Sequence, residues 1–319
     1  MMNIKLTVLL ILFCSGTKAQ VLTDFLTGYD SIKTQKLNTG HDVVSPTING
    51  KTGLFVLDNT AAVSAINNRL IEKYNLKNKI KSISSAGAGG AISIDLYAVD
   101  YIKIGATNVK LKSIGVSDLN DVFTGIYNST SVLIDGIIGQ DVFIKGNSII
   151  DISNHTILFP TNSTSQAELI GHNLLEQEFE KIELIEFNFD QHQFVLHGLK
   201  VQINGITKPF ILDSGSGRTY LNQATSTAFG ISLQKGELSN SVGAGGAINI
   251  KRLSIKDLKI ANNKINSNQV YLTNLSEIVE YTQHHTGQEV YGVIGQDILA
   301  KIQPVIVSSE SKMYFKSGY

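Results

Sequence analysis

Hydrophobic and polar residues alternate over several stretches of the chain. Hydrophobic side chains occupy every second position at Ile92, Ile94 and Leu96, and again at Ile248 and Ile250 in the second half. This period of two is typical of strands with one buried face. Short helices are predicted only after Asn67, after Asn222 and after each of two Gly-Gln-Asp sequences. The chain is therefore predicted to be mainly β, with few short helices.

Three sequence motifs occur twice and in the same order. Each second copy follows its first copy by 155 or 156 positions. The pairs are Ile48-Asn49-Gly50 with Ile203-Asn204-Gly205, Gly87-Ala88-Gly89-Gly90-Ala91-Ile92 with Gly243-Ala244-Gly245-Gly246-Ala247-Ile248, and Gly136-Ile137-Ile138-Gly139-Gln140-Asp141 with Gly292-Val293-Ile294-Gly295-Gln296-Asp297. Solenoid units are about 20–50 residues long, so a repeat of this length indicates a duplicated domain.

The predicted domains are a secretory signal at residues 1–19, an N-terminal lobe at 20–160 and a C-terminal lobe at 161–319. Lys5, the apolar run from Leu6 to Phe13 and the small residues before Ala19 are typical of such a signal. Residues 160–165 have the polar, proline-led composition of a linker. We therefore expect an exported protein, periplasmic or secreted, with lipid attachment at Cys14 as the alternative.

Charge and composition argue against several classes of function. Lys+Arg and Asp+Glu both number 27, and a formal charge of zero gives no reason to expect nucleic acid as the partner. No stretch is long and apolar enough to span a membrane. The single cysteine lies in the predicted signal, and the histidines lack metal-binding spacing. We expect no cofactor and no metal.

A hydrophobic strand leads directly into an aspartate in each half, Asp58 in the first and Asp213 in the second. Two carboxyl groups held close together do not both ionise easily, so one keeps a proton while the other can deprotonate a bound water. Such a pair can hydrolyse an amide without a metal or a covalent intermediate. Asp58 and Asp213 are therefore the candidate catalytic residues.

These motifs resemble those of the retropepsin-like and pepsin-like aspartic proteases. Asp213-Ser214-Gly215 is similar to the family's Asp-Thr/Ser-Gly triplet, and Ile137-Ile138-Gly139 and Val293-Ile294-Gly295 are similar to the segment that packs behind it. The resemblance implies two similar β-barrel lobes, a cleft between them with one aspartate from each lobe, and a monomer with pseudo-two-fold symmetry. It implies an extended peptide or unfolded protein as substrate. It also implies flaps that bind this substrate, formed by Gly87, Ala88, Gly89 and Gly90 and by Gly243, Ala244, Gly245 and Gly246.

The first copy departs from the family at Asp58-Asn59-Thr60. Asn59, Thr60, Ser214 and Gly215 are expected to support the aspartate pair. If position 60 needs a positive φ angle, a β-branched threonine there is strained. Two alternatives stay open: a non-catalytic peptide-binding protein on the same fold, and two unrelated β-sandwich modules whose aspartates lie far apart.

Two other repeated features have simpler interpretations. The glycine-rich segments are not followed by Lys-Ser/Thr, which argues against a phosphate-binding loop. Asp141 and Asp297 are expected to lie in the first turn of a helix, where the helix dipole favours a negative charge.

Overall fold

The computed structural model describes residues 28–161, 167–189, 194–231, 238–267 and 269–316. These residues form mainly β-strands with few helices, in two similar lobes, as predicted. The predicted secretory signal and most of the predicted linker lie outside the described residues, so the domain boundaries stay a prediction.

Fifteen strands among residues 28–161 belong to the first lobe. They are β1 (Tyr29–Lys33), β2 (Gln35–Lys36), β3 (Asp42–Val44), β4 (Thr47–Ile48), β5 (Lys51–Thr52), β6 (Phe55–Leu57), β7 (Ala65–Asn67), β8 (Lys79–Gly87), β9 (Gly90–Ala98), β10 (Tyr101–Ile104), β11 (Thr107–Lys110), β12 (Ser113–Ser117), β13 (Gly136–Ile138), β14 (Ile149–Asp151) and β15 (Thr156–Pro160).

The strands after residue 161 belong to the second lobe. Those that the structure describes are β16 (Phe179–Glu183), β17 (Ile185–Phe189), β18 (Phe194–Ile203), β19 (Ile206–Leu212), β20 (Tyr220–Asn222), β21 (Ser239–Gly243), β22 (Gly246–Ser254), β23 (Leu258–Ile260), β24 (Asn263–Lys264), β25 (Gln269–Thr273), β26 (Gly292–Ile294), β27 (Val305–Val307) and β28 (Lys312–Lys316).

The helices are short. The α-helices among the described residues are α1 (Asn120–Thr130), α2 (Gln140–Lys145), α3 (Ala167–Glu176), α4 (Ser276–Thr286) and α5 (Gln296–Ile302), and 3-10 turns occur at Asn68–Leu70, Gln223–Phe229 and Ser308–Glu310. The sequence predicted α2, α5 and the first two 3-10 turns. It did not predict α1, α3 or α4. The sequences of α1 and α4 consist largely of β-branched and polar residues, and burial of one face stabilises such helices, as at Phe123 and Ile126 of α1.

The main sheets of the two lobes have the same strand order. The first lobe has β3-β6-β13-β7-β12-β9-β8, and the second has β18-β19-β26-β20-β25-β22-β21. In both sheets the strand that ends at the aspartate pairs in parallel with the strand of the repeated Gly-Ile-Ile or Gly-Val-Ile motif. The duplication seen in the sequence is therefore a duplication of topology.

A six-stranded sheet joins the lobes, in the order β1-β15-β14-β27-β28-β16. Its junction is the antiparallel pair of β14 and β27, with Ile149 opposite Val307 and Ile150 opposite Ile306. All four side chains are at least 98% buried. Because this sheet continues from one lobe into the other, it fixes the two lobes against each other behind the aspartate strands.

The repeated Asn-Gly pairs form tight turns. Asn49 and Gly50 have φ angles of 49° and 75°, and Asn204 and Gly205 have φ angles of 51° and 85°. Two successive positive φ values define the type I′ turn that suits a two-residue hairpin, and Asn-Gly is its preferred sequence. The turns connect β4 to β5 and β18 to β19, and the second hairpin delivers the strand that ends at Asp213.

Candidate active site

Each candidate aspartate follows the buried end of a strand. Phe55 and Phe210 in these two strands are fully buried. The backbone N–H of Asp58 donates to the Ile138 carbonyl at 2.9 Å, and that of Asp213 donates to the Ile294 carbonyl at 3.0 Å. These bonds continue the parallel pairing by one residue, so both aspartates are anchored at the same point of their sheets.

Asn59 and Ser214 lock the two aspartate turns together. The Asn59 side chain donates from Nδ2 to the Leu212 carbonyl at 2.8 Å and accepts from the Ser214 N–H at 2.7 Å. The Ser214 hydroxyl donates to the Leu57 carbonyl at 3.1 Å and accepts from the Asn59 N–H at 3.1 Å. Both side chains are buried. Asparagine thus supplies an acceptor and a donor across the lobe interface at the position where the resembling family has a hydroxyl.

The interlocked turns bring the aspartates together. A Cβ atom at position 215 would lie 2.4 Å from Cγ of Asp58, so only glycine leaves room for the opposite carboxyl group. Gly215 does not have a positive φ, and it is required there for space rather than for backbone freedom. The arrangement contradicts the alternative of two unrelated modules with distant aspartates.

Thr60 occupies its position without the strain considered from the sequence, because its φ angle is not positive. Its hydroxyl donates to Oδ1 of Asp58 at 2.6 Å, and its N–H donates to the same oxygen at 2.9 Å. The hydroxyl also interacts with the carboxyl group of Asp213. A threonine at the family's glycine position therefore places a third polar group beside both carboxyls.

The two aspartates have different surroundings. Oδ1 of Asp58 accepts hydrogen bonds from Thr60 N, Thr60 Oγ1 and Ala61 N. Burial raises the pKa of Asp213 well above its ordinary value, and the Asp58 carboxylate raises it further, whereas hydrogen bonds from Gly215 and Thr60 lower it. Hydrogen bonds to a carboxylate favour its charged form, and burial favours the neutral form. The buried surroundings of Asp213 therefore favour its neutral form.

Asp141 and Asp297 lie in the first turns of α2 and α5 and support the site from behind. Asp141 Oδ1 accepts from the Ser64 hydroxyl at 2.7 Å, and Asp297 Oδ1 accepts from the Thr219 hydroxyl at 2.6 Å. Burial raises the pKa of both carboxyls. Asp141 and Asp297 thus connect their helices to the segments that follow the turns of Asp58 and Asp213. This is a larger structural role than the helix-dipole contact expected from the sequence.

The two glycine-rich segments form hairpin tips that contact each other. The Gly89 N–H donates to the Ala244 carbonyl at 2.8 Å. A Cβ atom on Gly87 would lie 2.2 Å from the Ala244 oxygen, and one on Gly89 would lie 2.3 Å from the Gly246 nitrogen. The hairpins β8–β9 and β21–β22 therefore meet tip to tip, and glycine is needed because the backbones touch.

Two further polar residues at the site were not found from the sequence. His41 Nε2 donates to the Gly215 carbonyl at 3.0 Å, and burial lowers the pKa of this histidine. Gln296 donates to the Ser214 carbonyl at 3.0 Å and accepts from Lys36 at 3.2 Å. Gln296 belongs to the repeated Gly-Gln-Asp motif, and this repetition could have marked it as a site residue. His41 could not have been found in this way, because its counterpart in the second half is Leu196.

Comparison with known proteins identifies the family. A family model described as aspartyl protease matches residues 44–142 and 199–298, once in each lobe. The chain belongs to the aspartyl protease family. The two matched regions each include one candidate aspartate and one glycine-rich hairpin. A comparison with curated proteins found no match. The resemblance inferred from Asp213-Ser214-Gly215 and the tandem duplication are both confirmed.

Neither a membrane-spanning helix nor a metal-binding cluster occurs among the described residues. No helix among them has the length and apolar character needed to cross a membrane. They also contain no group of three or more His, Cys, Asp or Glu side chains placed to hold a metal ion.

Proposed function

We propose that this aspartyl protease is an endopeptidase in which Asp58 and Asp213 activate a water molecule. The observation that carries the proposal is the reciprocal bonding of Asn59 and Ser214, which brings one carboxyl from each lobe to a common point. The close approach of Gly215 to the Asp58 carboxyl supports the same arrangement. The substrate is an extended peptide or an unfolded protein that lies under the two hairpin tips.

The different environments of the two carboxyls assign their roles. Asp58, as the carboxylate, takes a proton from the water as it attacks the scissile carbonyl carbon. Asp213, as the neutral acid, gives its proton to the carbonyl oxygen, and a tetrahedral diol forms. Asp58 then gives its proton to the amide nitrogen while Asp213 takes one back from the diol, so the C–N bond breaks and the pair returns to its starting state.

The test compares wild type with Asp58→Asn and Asp213→Asn on a quenched, unfolded protein substrate from acidic to neutral pH. Both variants should lose at least about 100-fold in rate, since acid–base groups contribute about 10²–10⁴-fold. Asp100→Asn, at an exposed aspartate outside the site, is the matched control and should keep full activity. Retained hydrolysis in either dyad variant, with intact folding, would remove that aspartate from the mechanism.

A second function, peptide binding without hydrolysis, is favoured by one observation. The Thr60 side chain lies beside both carboxyls and uses one of the Asp58 oxygens that a catalytic water needs. This function predicts saturable binding of extended peptides with no turnover at any pH. Thr60→Gly combined with Asn59→Thr would then start hydrolysis, and calorimetric binding together with a cleavage assay distinguishes the two functions.

Export of the protein is a proposal from the sequence, based on the apolar run from Leu6 to Phe13 and the small residues after it. Expression of the full chain with its natural N-terminus tests it. Sequencing of the purified protein should give a start near Gln20, and a chain that stays in the cytoplasm with Met1 intact would contradict it.

A further inference from the structure

Two tyrosines and two arginines form a row on the second lobe. Tyr220 lies opposite Tyr271 in the pair β20–β25, and Arg252 lies opposite Tyr271 in the pair β22–β25. Side chains directly opposite each other share one face of a sheet. The guanidinium of Arg218 lies 4.5 Å from the centre of the Tyr271 ring. We call Arg218, Tyr220, Tyr271 and Arg252 the arginine row.

The first lobe lacks this row, although it has the same strands in the same register. Its corresponding residues are Val63, Ala65, Gly115 and Leu96, with Ala65 opposite Gly115 and Gly115 opposite Leu96. The fold is therefore built in the first lobe without any charged or aromatic side chain at these positions. The arginine row is a property of one half of the molecule and is not needed for the sheet.

The arginine row lies beside the candidate active site. Arg218 is five positions after Asp213, on the chain segment that leaves the aspartate turn. Burial raises the pKa of Tyr220, a hydrogen bond with Ser241 of the hairpin β21–β22 lowers it, and the charges of Arg218 and Asp213 both act on it. Tyr220 and Ala88, at the tip of the hairpin β8–β9, pack against the same hydrophobic cluster, and Arg218 is two positions before Tyr220.

Both arginines are available to a ligand. Their side chains are exposed, and neither forms an ion pair with any described residue. The whole chain contains three arginines, and two of them are neighbours of Tyr271. Arginine presents a planar fork of donors that matches a carboxylate, and stacking on an aromatic ring holds the fork in place. The remaining arginine, Arg69, is in the first lobe.

We propose that the arginine row is a specificity site that binds a carboxylate of the peptide substrate, supplied by an aspartate or glutamate side chain. This inference rests on the proposed peptide-binding cleft and predicts the direction in which a peptide binds in it. The part of the peptide over the second lobe carries the acidic residue. The part over the first lobe, beside Val63, carries an uncharged one.

The test uses quenched peptides that differ only by glutamate or glutamine, with the exchange moved one position at a time along the sequence. Wild type should prefer glutamate at one position by about 10-fold or more in kcat/KM, as expected for a charge-assisted hydrogen bond. Arg218→Met and Arg252→Met keep an apolar stem and should reduce this preference towards unity. Arg69→Met is the matched control and should keep the preference.

Binding separates this inference from the proposed hydrolysis. The affinities of Asp213→Asn for the glutamate and glutamine peptides, measured by fluorescence anisotropy, should show the same preference without any turnover. Preferential binding of the glutamate peptide without hydrolysis by wild type would overturn the endopeptidase function alone. Equal handling of the two peptides at every position, by hydrolysis and by binding, would overturn the specificity site.

Discussion

The hydroxyl of Thr60 should set the pH at which the aspartate pair ionises. Thr60→Val keeps the shape of the side chain and removes the hydrogen bond of 2.6 Å to Asp58 Oδ1, together with the interaction with Asp213. A hydrogen bond to a charged group contributes about 1.5–3 kcal/mol. At 1.36 kcal/mol per pKa unit, its loss should raise the apparent pKa of the pair by about 1–2 units.

The sign follows from the role of the donor. The hydroxyl stabilises the ionised form of the pair, so its removal makes the loss of the first proton harder, and the acidic limb of the kcat/KM profile should move to higher pH. Thr60→Ser keeps the hydroxyl and is the matched control, with an acidic limb close to that of wild type. A Thr60→Val profile that overlays the wild-type profile would refute the reasoning.

A second measurement does not depend on catalysis. Carbon-13 labelling of the aspartate carboxyls allows their titration to be followed by NMR in wild type, Thr60→Val and Thr60→Ser. The shared titration of the pair should shift upward in the valine variant by the same amount as the activity profile. An equal shift in the serine variant would assign the effect to packing instead of to the hydroxyl.

Three further predictions concern the interlocked turns. Gly215→Ala should displace the Asp58 carboxyl and abolish hydrolysis in a rate assay, because the new Cβ would lie 2.4 Å from Cγ of Asp58. The control is Gly125→Ala, in α1, where the added Cβ has open space around it. Full activity of Gly215→Ala would contradict the packing argument. Asn59→Ala leaves two buried backbone groups unpaired and should lower the free energy of unfolding by about 2–6 kcal/mol in urea titrations, with a loss below about 1 kcal/mol as the contrary result. Burial raises the pKa of Asp213 in the folded chain, so the native state holds a proton that the unfolded chain releases, and this group makes stability fall as pH rises from the ordinary aspartate pKa towards the raised one. Asp213→Asn should remove this loss in thermal scans from acidic to neutral pH, and an unchanged pH dependence would contradict the raised pKa.

Features that depend on local sequence were predicted correctly. Asn-Gly favours the type I′ turn wherever it occurs, and both copies adopt it. The alternating pattern around Ile94 and Leu96 gave the strand β9, whose buried residues are those two. Helix α4 was missed because its polar sequence carries little helical signal, and packing against its own lobe and the hairpin of the other lobe stabilises it.

By itself the sequence determined the duplication, the mainly β class and the position of an aspartate at the end of one strand in each half, because each of these is a repeat or a period along the chain. Only the tertiary structure decided that Asn59 bonds across the lobes, that Thr60 lies beside both carboxyls without a positive φ, and that His41 contacts the Gly215 carbonyl. The contact of Asn59 joins residues about 155 positions apart, and Thr60 and His41 differ from the residues at the corresponding positions of the second half. Their energies depend on distances across the lobe interface, and no local pattern of residues encodes those distances.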